Sequence, residues 1–207
     1  MELTAMDVAP VSRPPPRHPD PHGVTLRRLH RLNAALLGVF VQLHMANHLA
    51  LIGGFAAHDA VLAVLRPLYR NAFVEPVLIA LFAAQIALGL ALAWRRGRPR
   101  MRWAWGQVVS GLILALFLVQ HIPATLLARP ETDTDVRFAA AVVQDWPGAA
   151  YFIPYYILAV TALATHLAAA RRLALLPGPA DALARALPWG GVALGVVIVA
   201  GLLGAFG

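Results

Sequence analysis

The chain has 207 residues, of which 59% are hydrophobic and 13% are charged, and it contains no cysteine. In a soluble globular domain roughly a quarter of the residues are charged, so this composition favours a membrane as the solvent for the chain. The lack of cysteine excludes disulfides, thiolate catalysis and iron–sulfur ligation by the chain itself, which leaves histidine as the main candidate metal ligand. The net charge is +7, carried by arginine without any lysine, and in a membrane protein such an excess reports topology rather than nucleic-acid binding.

Residues 1–25 contain six prolines among polar residues and no apolar run. This composition predicts a disordered tail and not a cleaved signal peptide. Five apolar stretches follow, at about residues 32–55, 73–94, 103–128, 150–170 and 188–206. Each is close to the roughly 20 residues that a helix needs to cross the hydrocarbon core, and each must be helical because unpaired backbone cannot be left in lipid. The sequence therefore predicts an all-α, five-helix transmembrane domain over residues 26–207.

The distribution of arginine predicts the orientation of this bundle. Thirteen of the seventeen arginines fall in the tail and in the second and fourth connections, and four fall in the first and third. By the positive-inside rule, the N-terminus is expected in the cytoplasm and the C-terminus outside, in the cell's inner membrane. The long third connection, residues 129–149, is expected to hold a short helix or a lid on the outer face.

Four histidines fall inside the predicted spans: His44 and His48 in the first helix, His121 in the third and His166 in the fourth. Ionisable residues at such depth are costly and mark function by default, although a neutral imidazole can also simply hydrogen-bond between helices. The spacing of four places His44 and His48 on one seam. At about 1.5 Å of rise per residue, His44, His48 and His121 lie in the middle to outer bilayer and His166 near the cytoplasmic edge.

These positions favour a bis-histidine haem between the first and third helices, because two neutral imidazoles from facing helices can ligate one iron. A copper or zinc site at His44 and His48 is the alternative, but the sequence offers no further ligand nearby. Gly38, Gly89 and Gly111 allow close helix packing, and they would equally leave room for a flat macrocycle.

Four segments resemble the five-helix cytochrome b membrane anchor of succinate dehydrogenase and fumarate reductase, over about residues 28–172. They are LHRLNAALLGVFVQLH ending at His44, QIALG from Gln85, QVVSGLILALFLVQH ending at His121, and YFIPYYILAVTALATH ending at His166. The resemblance implies that family's fold, with distal haem ligands at His44 and His121 and with His48 as the fallback for His44. It places the proximal pair on Gln85 and His166. Glutamine is a poor iron ligand, so one haem b is expected.

The resemblance also implies a non-catalytic subunit that passes electrons between a partner iron–sulfur subunit and membrane quinone. The chain has no nucleotide-binding glycine motif, so a flavoprotein partner is expected to oxidise the substrate. The family uses an acidic residue near the outer face at its quinone site, and here Glu75 is the candidate, with Asp59 and His58 behind it. The alternative is that Glu75 is an ordinary acid at a helix start.

Two other functions remain open on the sequence. The first is a haem-free membrane scaffold or assembly protein of the same fold. The second is a histidine-based metal transporter, which would need polar residues along a path through both leaflets. Beyond the histidines, the predicted spans contain few polar residues that could line such a path: Gln42, Asn47, Gln85, Gln107 and Gln120.

Overall fold

The computed structural model describes residues 21–129, 131–174 and 181–206. Over these ranges the chain is helical, without any strand, and its elements in chain order are α1 (Pro21–Leu49), a 3-10 turn (Ala50–Gly53), α2 (Gly54–Tyr69), α3 (Val74–Arg96), α4 (Arg102–Ala128), α5 (Val136–Gln144), α6 (Gly148–Ala174) and α7 (Ala182–Leu202). Of the predicted disordered tail, residues 1–20 lie outside the described residues. Residues 21–25 begin α1, which opens on a proline, a residue favoured at the first helical position.

Five helical segments are long and apolar enough to cross a membrane, which confirms the prediction of an all-helical, five-span protein: Val24–Tyr69, Val74–Arg96, Arg102–Ala128, Gly148–Ala174 and Ala182–Leu202. Large apolar side chains point out of the bundle along these helices. Leu36 and Val39, for example, each keep 63% of their surface exposed. Because lipid tails are the solvent that such surfaces require, the chain is a multi-pass membrane protein.

The first predicted span, residues 32–55, differs from the structure at both ends. Helix α1 stops at Leu49, and α2 occupies residues that hydropathy assigned to a connection. The break needs Gly54, whose φ of 80° is a conformation that other residues rarely adopt. Beyond it the alanine, leucine and valine residues of α2 favour helix again. His58 and Asp59 therefore lie on a helix and not in a loop.

The remaining helices follow the predicted spans, with one shift. Helices α3, α4 and α6 end within four residues of the predicted bounds, but α7 begins at Ala182, six residues before the predicted start. The Asp181 side chain accepts a hydrogen bond from the Ala184 amide and so caps α7. The third connection holds the short helix α5, as predicted, and Asp135 caps it by accepting from the amides of Arg137 and Phe138.

The helices pack in two layers, which we call the first layer (α1 and α3) and the second layer (α4, α6 and α7). In the first layer α1 packs along α3, and in the second layer α6 packs between α4 and α7. Between the layers, α3 and α4 touch less, and α1 and α4 have no extended backbone contact in the described part of the chain. A buried apolar cluster that includes Leu51, Val143 and Leu202 joins the layers at one end. We call the end of the bundle that holds this cluster the acidic end, and the opposite end of the bundle the arginine-rich end.

Glycines of α7 make the close contact inside the second layer. A Cβ added to Gly195 would lie 2.9 Å from the Ile157 Cα, and one added to Gly191 would lie 2.6 Å from the Ala164 Cβ. Such small-residue seams let helix backbones approach in a membrane, where there is no hydrophobic drive between helices.

Ion pairs cover the acidic end. Asp133 accepts hydrogen bonds from Arg66 at 2.6 Å and from Arg70 at 2.8 Å. Elsewhere at this end Arg129 lies 2.6 Å from Glu75, and Arg137 lies 2.7 Å from Asp59. These pairs tie α2, α3 and the third connection together above the apolar cluster.

The substitution Asp133→Asn is expected to lower thermal stability modestly at neutral pH. The guanidiniums of Arg70 and Arg66 hold the pKa of Asp133 below its usual value, so the carboxylate stabilises the fold above the ordinary carboxyl pKa. This stabilisation is lost as pH falls through the folded-state pKa. Because the carboxylate is largely exposed, we expect less than about 1 kcal/mol. Thermal unfolding in detergent should show a lower Tm for Asp133→Asn than for wild type at pH 7. The two Tm values should become equal in strong acid.

Asp145→Asn is the matched control, because Asp145 makes no side-chain ion pair among the described residues. An equal loss of stability in both variants, or a loss that persists in strong acid, would contradict the role given to Asp133.

Candidate functional site

His44 and His121 face each other across the gap between the two layers. His44 comes from α1 and His121 from α4, and their ring centres are 6.3 Å apart with the planes inclined at 64°. Two imidazoles that share one metal ion, at metal–nitrogen distances of about 2 Å, place their ring centres roughly 6 Å apart. The structure therefore brings the predicted pair together at a separation suited to joint ligation.

His48, the fallback for His44, lies one helical turn further along α1. Its Nε2 atom is 3.3 Å from that of His44, so the two histidines share a seam. Its ring also lies 5.8 Å from that of His58 on α2. Among the described residues the ring contact that reaches His121 from α1 comes from His44. This arrangement favours His44 as the partner of His121.

An aromatic ring supports each of the two facing histidines. Phe40 stacks on His44, with ring centres 5.6 Å apart, and Phe117 stacks on His121 at 4.8 Å. Each phenylalanine precedes its histidine by four residues, which places it one turn away on the same face. Sequence analysis missed these supports, although the repeated spacing was visible. They restrict both imidazoles to orientations that face the gap.

The predicted quinone and proton residues fall into two separate groups. Asn47 Nδ2 donates to His58 Nε2 at 3.0 Å, and His58 Nδ1 lies 3.7 Å from the Asp59 carboxylate. Glu75 pairs instead with Arg129, and in the described part of the chain no hydrogen bond or ion pair joins it to Asp59 or His58. His58 thus adjoins His48, and Asp59 connects it to the surface ion pair with Arg137, whereas Glu75 belongs to a separate surface ion pair.

Gln85 and His166, the predicted second polar site, have different partners. Gln85 accepts from Asn33 Nδ2 at 2.7 Å and donates to His30 Nε2 at 3.3 Å. His166 contacts α4, with its Nδ1 atom 3.2 Å from the Ser110 hydroxyl. Sequence analysis missed His30, because hydropathy began the first span two residues after it.

The three predicted glycines play different parts. A Cβ on Gly89 would lie 3.4 Å from His30, and one on Gly111 would lie 3.2 Å from His166. These two glycines make room for imidazoles of neighbouring helices. A Cβ on Gly38 would meet nothing within 4 Å, so the space beside it is open.

The substitution Gly111→Ala is expected to displace the His166 ring by a few tenths of an ångström, because the added methyl would be tighter against it than ordinary van der Waals contact. Gly38→Ala is the matched control for helix propensity, since the protein itself leaves room for that methyl. Thermal unfolding in detergent should show Gly111→Ala to be less stable than Gly38→Ala, because both gain helix propensity and only Gly111→Ala crowds a neighbour. Equal stabilities would contradict the close fit at Gly111.

The histidine arrangement offers two imidazole ligands from facing helices. Within the ranges that the structure describes, no group of three or more histidine or acidic side chains lies close enough to hold a metal ion. A haem needs only two axial ligands from the protein, because the porphyrin supplies the other four. His44 and His121, half-buried between helices and each stacked on a phenylalanine, could supply those two ligands.

Comparisons with protein-family models, with curated proteins and with solved structures found no match to this chain.

Proposed function

We propose that this protein is a haem b-binding membrane anchor subunit of a succinate dehydrogenase or fumarate reductase-like complex, with the five-helix fold of that family. It passes electrons between a partner iron–sulfur subunit and membrane quinone, and a flavoprotein subunit completes the complex. The observation that carries the proposal is the approach of His44 and His121, 6.3 Å apart between ring centres, across a gap that the backbones do not fill.

In this proposal the haem supplies reversible one-electron chemistry, and the chain's own residues hold it and keep water away. His44 and His121 ligate as neutral imidazoles, the form that burial favours. Phe40 and Phe117 keep the two rings in place. Quinone exchanges protons as well as electrons, and His58 with Asp59 is the pair placed to move a proton between the surface and the region beside His48.

A redox difference spectrum of the purified full-length chain tests the haem assignment. We expect a b-type band on reduction, and anaerobic addition of a short-chain quinol should produce the same band. A chain that purifies well folded without any such band would instead support the haem-free scaffold or assembly protein.

We further propose that the arginine-rich end faces the cytoplasm of the inner membrane, with the C-terminus outside. In the sequence, thirteen of the seventeen arginines fall in the predicted tail and in the predicted second and fourth connections, which share one side of the membrane. A reporter that is active only in the cytoplasm should give no signal when fused after Gly207 and a strong one when fused before Met1. The reverse pattern would overturn the orientation.

A further inference from the structure

Three arginines of α1 lie close together on its exposed surface at the arginine-rich end. Arg27, Arg28 and Arg31 are all exposed, and intervals of four and three residues bring Arg31 beside the other two. Together with Val24 and Leu32 they line a concave surface of about 390 Å³, which we call the arginine hollow. Three cations around one small hollow suit an anionic group.

These three guanidiniums have no anionic partner among the described residues, and α1 itself contains no aspartate or glutamate. The arginines of the acidic end differ in this respect. Each of them pairs with a carboxylate at 2.6–2.8 Å, and they are Arg66, Arg70, Arg129 and Arg137. The positive charge of the arginine hollow is therefore not balanced within the described part of the chain.

An apolar stripe continues from the arginine hollow along the same face of α1. Leu32, Leu36 and Val39 follow Arg28 at intervals of four, four and three residues. They expose 56%, 63% and 63% of their surface. Leu36 and Val39 also line an apolar groove that α1 forms with α2 and α3. From Arg28 to Val39 the helix rises about 16 Å, close to the roughly 15 Å of hydrocarbon in one leaflet.

A phospholipid combines the charge and the apolar length that these two surfaces require. Guanidinium groups bind phosphate through paired, charge-assisted hydrogen bonds, and clusters of basic residues at the membrane edge attract anionic lipids. A free phosphate would fill the arginine hollow and leave the apolar stripe unused. A water-soluble partner could reach the guanidiniums but not Leu36, which lies within the hydrocarbon.

We propose that Arg27, Arg28 and Arg31 bind the headgroup phosphate of one anionic phospholipid, with an acyl chain of that lipid along the apolar stripe. A zwitterionic lipid is disfavoured, because its ammonium group would add a fourth cation to the arginine hollow. This site uses none of the histidines, so it is independent of the proposed function.

Lipid retained by the purified full chain tests this inference. The protein is reconstituted with equal amounts of phosphatidylglycerol and phosphatidylcholine, transferred to a nonionic detergent and weighed intact by native mass spectrometry. We expect wild type to retain one phosphatidylglycerol per chain. The triple variant Arg27→Gln, Arg28→Gln, Arg31→Gln should bind it roughly 100-fold more weakly, since each basic residue near the membrane surface contributes about fivefold.

The triple variant Arg98→Gln, Arg100→Gln, Arg102→Gln is the matched control. It removes the same charge from exposed residues of the same end that do not line the arginine hollow, so it should retain the lipid as wild type does. Thermal unfolding in phosphatidylcholine alone should be the same for both triple variants, which checks that they fold.

Several results would overturn the inference. Equal losses in the two triple variants would mean that the general charge of this end attracts the lipid. Wild type that retains no phosphatidylglycerol, or retains both lipids equally, would exclude an anionic lipid site. Displacement of the lipid by inorganic phosphate at equal concentration would indicate a site for the free anion. Retention that appears only in Glu2→Gln, Asp7→Asn, Asp20→Asn would show that carboxylates of the first twenty residues occupy the arginine hollow instead.

Discussion

If His44 and His121 hold a haem as proposed, replacing His121 by alanine is expected to remove it. An axial imidazole supplies one of only two protein bonds to the iron, and no other histidine of α4 could replace it. The ratio of haem to protein should fall by one haem per chain, and the reduced b-type band assigned to this haem should be lost. The reduced-minus-oxidised spectrum, recorded on protein that elutes as a single species in detergent, measures this loss.

Alanine variants of the two α1 histidines show which of them is the partner of His121. His44→Ala should match His121→Ala, and His48→Ala should keep the haem, because the ring of His44 is the one that contacts His121. The opposite result, loss in His48→Ala and retention in His44→Ala, would move the ligand one turn along the helix. Full retention in His121→Ala would remove the basis of the proposed function.

The substitution Gly195→Val is expected to give the largest loss of stability. The valine Cβ would lie 2.9 Å from the Ile157 Cα, a backbone atom that cannot turn aside, so α7 must move away from α6. Overpacking of this kind costs about 1–3 kcal/mol, and the layer that holds His121 and His166 would loosen with it. Thermal unfolding in detergent measures the change.

Gly190→Val is the matched control for the same replacement on the same helix. A Cβ at Gly190 meets nothing within 4 Å and the position is exposed, so its stability should stay close to that of wild type. If both valine variants lost stability equally, the contact with α6 would not be the cause of the loss.

Much of this fold could be predicted from the sequence because the membrane constrains it strongly. Length and hydropathy locate apolar helices, and they did so for α3, α4 and α6 to within four residues. Helix α2 was missed because Asp59 and Arg66 interrupt its apolar sequence and so favoured a connection, whereas backbone hydrogen bonding does not depend on side-chain polarity. The hinge at Gly54 depends on one dihedral angle, which a window average cannot detect.

Contacts between residues of one helix could be predicted from their spacing in the sequence. Contacts between residues of different helices could not. The shared seam of His44 and His48 follows from their separation of four residues. His30 was overlooked because Arg27, Arg28 and Arg31 surround it, so hydropathy assigned it to the tail although α1 continues through it. That Gln85 pairs with His30 rather than with His166 depends on the relative register of α1 and α3, which the sequence does not encode locally.

The two-layer arrangement has a consequence for how the protein is made. Helices α1 and α3 emerge from the ribosome before α4, α6 and α7, and the layers are joined mainly by the apolar cluster at the acidic end. A cofactor bound between the two layers would hold them together. It would stabilise the folded chain more as the concentration of the cofactor rises. We therefore expect cells starved of haem precursors to accumulate less of the protein, with faster proteolytic cleavage in the loop around Gly97. Unchanged turnover in such cells would mean that the layers close without a cofactor.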